Sequence, residues 1–144
     1  MFQRRSATSR TSPSAQARPR VLFVDDEQLV LEALRDSLRR YPFEIHSASS
    51  ADQGFEILAS VPIDVVVSDE RMPGMSGSEF LALVCERYPE TVRLILSGQE
   101  GPDAGDRSLY EGEVFRFVRK PCHARELADI ITQALAEGRR HQSE

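Results

Sequence analysis

The stretch Val21-Leu22-Phe23-Val24-Asp25-Asp26 joins four apolar residues directly to two carboxylates. A short continuous apolar run, without alternation, reads as a strand covered on both faces, as in a parallel sheet. The same pattern recurs three times. Val65-Val66-Val67-Ser68 meets Asp69, Leu94-Ile95-Leu96 meets Ser97, and Phe115-Arg116-Phe117-Val118 leads to Lys120-Pro121. In an open α/β sheet, ligands bind outside the carboxyl ends of the strands. The chain therefore brings Asp25, Asp26, Asp69, Ser97 and Lys120 to a single sheet edge.

Working outward, the pattern is five strand–helix repeats. Strands are expected at about 20–24, 43–47, 63–68, 92–96 and 114–118. A helix at about 27–40 carries Val30, Leu31, Leu34 and Leu38 on one face, with Pro42 just beyond it. Further helices are expected at about 51–60, at about 77–87 after the turn-rich Met72-Pro73-Gly74-Met75-Ser76-Gly77, and at about 123–137 with Leu127, Ile130, Ile131 and Leu135 at helical spacing. Between Ser97 and Val114 lie Gly98, Gly101, Pro102, Gly105 and Gly112, so the fourth helix is expected to be short or mobile. Strands 2 and 5 alternate in polarity where the others do not, which suits sheet edges. That gives an α/β fold, a doubly wound parallel sheet of five strands in the order 2-1-3-4-5. In that order the chain reverses direction between strands 1 and 3, and Asp25, Asp26 and Asp69 flank the crevice there.

The chain has 144 residues, room for one domain with a real core. The net charge of −5 hides an asymmetry: residues 1–20 hold five arginines and no acid, which leaves 13 basic against 23 acidic residues beyond them. An acidic body argues against binding a nucleic-acid backbone and suits a protein that binds a cation. The Ser/Thr/Arg/Pro-rich start, residues 1–19, reads as a disordered basic arm, with a faint likeness to a transit peptide and no apolar stretch of the secretory kind. The folded unit is expected over 20–138, with a polar tail at 139–144. The cysteines, Cys85 and Cys122, suggest no disulfide framework, and Cys122-His123 has no second pair with which to hold a metal. No run approaches the roughly 18 apolar residues of a membrane span. A reduced, cytoplasmic setting fits.

Two carboxylates about 5 Å apart repel by about 3 kcal/mol at an effective dielectric near 20, and three need a cation. Hard oxygen ligands in a shallow cleft favour Mg2+, which shares its coordination readily with phosphate. Lys120 adds a positive charge and Ser97 a hydroxyl donor, so Asp69 is placed to accept a phosphoryl group as an acyl phosphate. Each residue alone has an ordinary reading as well. Asp25-Asp26-Glu27 suits the start of the first helix, Asp69 a loop and Lys120 a solvated turn. Their common position at strand ends favours the site.

These segments resemble the receiver domain of two-component response regulators. The resemblance is carried by Val21 to Glu27, Asp69-Glu70-Arg71-Met72-Pro73-Gly74-Met75-Ser76-Gly77, Leu94 to Gly98 and Phe117-Val118-Arg119-Lys120-Pro121, and spans about residues 20–137. It implies a flavodoxin-like fold of five strands and five helices, and phosphoryl transfer from a histidine kinase or phosphotransfer protein. It implies Asp69 as phosphoacceptor, and Mg2+ held by Asp26, by Asp25 largely through water, by Asp69 and by the backbone carbonyl of Arg71. Ser97 and Lys120 would contact the phosphoryl group. Ser97 and Phe117 would form the switch, although Phe117 lacks the hydroxyl of the commoner tyrosine and equally suits a permanent core position. Arg71 and Gln99 would modulate phosphoryl lifetime. The segments around Arg71 and Phe117 look closest to receivers attached to cyclic-dinucleotide phosphodiesterase or enhancer-type output modules.

The expected protein is not an enzyme beyond its own phosphorylation and dephosphorylation. Its partners would be the phosphodonor and an unknown output protein or C-terminal effector, with no direct nucleic-acid or membrane contact. One alternative is an aspartate-nucleophile, Mg2+-dependent phosphatase of the haloacid-dehalogenase kind. That chemistry wants a second acid two residues after the nucleophile, right after the first strand; Gln28 stands two after Asp26 and Glu27 two after Asp25, a poor fit. The other alternative is a receiver-like scaffold that never takes phosphate.

Overall fold

The computed structural model describes residues 18–97, 116–120 and 122–142. The expected fourth helix within 99–112, Gln99 and most of the basic arm lie outside the described residues. Five strands, β1 (Arg20–Val24), β2 (Glu44–Ala48), β3 (Val65–Asp69), β4 (Val92–Ser97) and β5 (Arg116–Arg119), pair in parallel in the order β2-β1-β3-β4-β5. The expected order holds, with the two alternating strands at the edges.

Parallel strands need cover on both faces, and the side chains sort accordingly. Val21 and Phe23 of β1, Val65 and Val67 of β3, and Leu94 and Leu96 of β4 enter one apolar cluster with Leu31, Leu127 and Ile131. Their neighbours Leu22, Val24, Val66 and Ile95 enter the other with Leu58, Phe80 and Val84. The period of two along each strand thus assigns α1 (Gln28–Ser37) and the C-terminal helix (Ala124–Gln142) to one face. It assigns α2 (Ala51–Ser60) and α3 (Gly77–Arg87) to the other.

The helix starts are built locally. The Ser50 hydroxyl accepts the Gln53 N–H at 3.1 Å ahead of α2. Ser76 and Glu79 form a reciprocal capping box ahead of α3. Two helix ends differ from expectation. The first helix stops at Ser37, because Leu38 leaves helical geometry and the chain tightens through an Arg39 N–H to Asp36 carbonyl bond of 3.3 Å. The C-terminal helix runs through Gly138 to Gln142. That glycine marks a close approach, not an end: a Cβ there would stand 2.5 Å from Cγ2 of Val92. Among the described residues, no helix is long and apolar enough to cross a membrane.

The core makes a stability prediction. Ile131 is fully buried, whereas Leu29 is 78% exposed. Ile131→Ala should cost about 2–5 kcal/mol in urea denaturation, and Leu29→Ala should stay within about 0.5 kcal/mol of the wild type.

Candidate functional site

The parallel register brings the polar strand ends together. Val24 stands opposite both Ala48 and Ser68, and Asp69 opposite Leu96. Asp25 continues the ladder one step past β1, its N–H donating to the Ala48 carbonyl at 3.1 Å. Ser97 ends β4, half-buried, and its carbonyl accepts the Lys120 N–H at 2.8 Å, which pins the residue after β5 to the end of β4.

Carboxylate oxygens of Asp25, Asp26 and Asp69 lie within 4.8 Å of one another. Asp25 is buried and Asp26 exposed. Lys120 crosses to this group, its Nζ donating to Asp69 Oδ1 at 2.7 Å. The acids do not act as helix caps. Glu27, the residue that precedes α1, makes no side-chain capping bond, and the first turn of α1 holds no acid. Asp25 Oδ1 instead accepts the Glu27 N–H at 2.9 Å, a local turn that orients the carboxylate. Burial raises the Asp25 carboxyl above its ordinary value; the Glu27 N–H opposes this, the Asp69 charge adds to it, Lys120 lowers it and Asp26 raises it. Among the described residues this is the one group of three or more carboxylate, imidazole or thiol ligands close enough to share an ion. Among the described residues Cys122 and His123 belong to no such group, and the two cysteines form no disulfide.

The loop after Asp69 is held from both ends. Gly77 packs its bare Cα against the Asp69 carbonyl, where a Cβ would collide with the backbone. The Ser68 hydroxyl donates to the same carbonyl at 2.9 Å. Glu70 Oε1 accepts from Ser78 Oγ at 2.6 Å and from the Ser78 N–H at 3.1 Å. Arg71 is exposed in this loop. The sequence reading missed Glu70 and Ser78, since nothing in the spacing of an acid and a serine eight residues apart announces a contact across a turn. Phe117 stands in β5 opposite Ile95.

Three acids, a lysine and a hydroxyl-bearing strand end gathered at one sheet edge suit phosphoryl transfer. Residues 21–132 match the family described as the response regulator receiver domain. The hydrogenase transcriptional regulatory protein HoxA of Cupriavidus necator is 37% identical over 115 residues, 80% of this chain and 24% of its own length. The response regulator protein FleR of Pseudomonas aeruginosa is 32% identical over 114 residues, 79% of this chain and 24% of its own. The chain thus spans about a quarter of the length of these relatives. Among solved structures, the signal receiver domain of an HD domain-containing protein from Pseudomonas fluorescens superposes with a TM-score of 0.78 at 33% identity, covering 86% of this chain and 99% of that one. A receiver domain from Clostridium thermocellum gives 0.76 at 30%, covering 84% and 97%. The chain belongs to the receiver domains of two-component response regulators.

Proposed function

We propose that Asp69 is the phosphoacceptor, taking a phosphoryl group from a histidine kinase or phosphotransfer protein, and that the acyl phosphate alters contacts with an output protein or effector domain. The observation that carries this is the 2.7 Å contact of Lys120 Nζ with Asp69 Oδ1 beside two further carboxylates. The donor set fits Mg2+: oxygens only, at a sheet edge where Asp26 is exposed and open to water. Asp26, Asp69 and the Arg71 carbonyl would hold the ion, with Asp25 acting largely through water. When bound, Mg2+ supplies charge neutralisation to the incoming phosphoryl oxygens.

The chain's own residues do the rest. The Asp69 carboxylate, held at the end of β3, attacks phosphorus and displaces the donor's nitrogen. Lys120 moves its ammonium from Asp69 to the new phosphoryl oxygens, and Ser97 donates its hydroxyl to another. Arg71 and Gln99 set how readily water removes the group, and Phe117 with Ser97 carries the change away from the site. On this reading the domain works in the cytoplasm as a self-modifying switch without an enzyme's turnover of free substrate.

Two experiments test this. Incubation with acetyl phosphate and Mg2+, followed by intact mass measurement, should add one phosphoryl group; Asp69→Asn and chelation should each abolish the gain. Persistent labelling of the Asn variant, or steady release of phosphate from phosphomonoesters, would overturn the assignment. The second concerns stability. Because the Asp25 carboxyl is raised above its ordinary value of 3.8, the folded state holds that proton more tightly than the unfolded chain. Stability must then fall as pH rises from about 3.8 through the higher folded value, and stay reduced above it. In metal-free solution Asp25→Asn should therefore raise Tm at pH 7, with the gain shrinking as pH approaches 4.

A further inference from the structure

Glu70 follows the acceptor directly, and the phosphoryl chemistry above leaves it without a role. Its bonding is nonetheless dense. Its N–H donates to the Leu96 carbonyl at 3.2 Å and its own carbonyl accepts the Gly77 N–H at 2.9 Å. Its side chain reaches the same end of the loop, Oε1 accepting from Ser78 Oγ at 2.6 Å and from the Ser78 N–H at 3.1 Å. Ser78 is 5% exposed, so its hydroxyl has little water to turn to if Glu70 is removed.

One residue therefore closes residues 71–76 at their start and their finish. Within them, the Met75 N–H donates to the Pro73 carbonyl at 2.9 Å, and Gly74 adopts a φ of +85°. Met72 and Met75 pack against the apolar cluster of α2 and α3. Those contacts shape the middle of the loop. The Glu70–Arg71 peptide is fixed by the Gly77 N–H on the Glu70 carbonyl, and it sets where the next peptide, which carries the Arg71 carbonyl, begins.

We propose that Glu70 is a positioning residue: anchored on Ser78, its carboxylate sets the backbone of Arg71 and so the direction of the carbonyl offered to the metal. This rests on the reading of Asp25, Asp26, Asp69 and the Arg71 carbonyl as the Mg2+ site. Groups outside the ligand set that fix a ligand's orientation commonly tune affinity without touching the ion; Glu70 would do so through the loop backbone, its side chain bonding Ser78 and not a ligand.

Calorimetric titration with MgCl2, paired with thermal denaturation in EDTA, tests this on the whole chain carrying Glu70→Ala, Glu70→Gln or Ser78→Ala. Glu70→Ala should weaken Mg2+ binding by about 10-fold. Glu70→Gln keeps the Oε1 acceptor and should bind close to the wild type. Ser78→Ala loses one of two donors and should fall between. A lowered metal-free Tm with unchanged Mg2+ affinity in Glu70→Ala would make Glu70 merely structural and overturn the proposal. Should Glu70→Ala not fold, unchanged affinity in Ser78→Ala overturns it. Failure of the wild type itself to bind Mg2+ overturns the site reading, and the proposal with it.

Discussion

Carboxylate oxygens of Asp25, Asp26 and Asp69 sit within 4.8 Å of one another, and one of these acids is buried. Like charges at that range push apart, and burial makes each ionised form dearer. The unfolded chain has no reason to bring them together. What holds them is the hydrogen-bonded register of β1 and β3, which are adjacent in space although 40 residues of chain, including two helices and an edge strand, lie between them. Lys120, brought in from the other side by the pairing of β4 with β5, places a short compensating charge on Asp69.

The sheet can impose this because both its faces are covered. Alternate residues of the central strands feed separate apolar clusters, so a slip by one residue would move each cluster to the wrong face. Close backbone approaches tighten the arrangement at both ends of the sheet. Gly77 lets α3 begin against the Asp69 carbonyl, and Gly138 lets the C-terminal helix lie on Val92 at the opposite end of β4. Asp69 is half-buried at this end of the sheet, whereas Asp26 and Arg71 are exposed.

Much of this was legible in the chain. Continuous apolar runs announced Val21–Val24 and Val65–Val67 as central strands, because two covered faces leave no place for a polar residue. Alternation in Glu44-Ile45-His46 marked an edge strand, since one side of it meets water. Helix ends were harder. Gly138 reads as a stop when only local propensity is weighed, yet the helix crosses it because the missing Cβ is what fits against Val92. The Glu70–Ser78 bond was not legible, because it depends on a turn returning the chain to its starting point.

The sequence by itself determined the strand order and the identity of the residues at the strand ends, for burial pattern and residue chemistry are properties of the chain. Only the tertiary structure decided which of those residues touch. That Lys120 reaches Asp69, that Asp25 is buried while its neighbour Asp26 is not, and that Glu70 turns away to Ser78 depend on distances across strands and loops. Those distances come from sheet register and helix packing, long-range contacts that no local stretch of chain encodes.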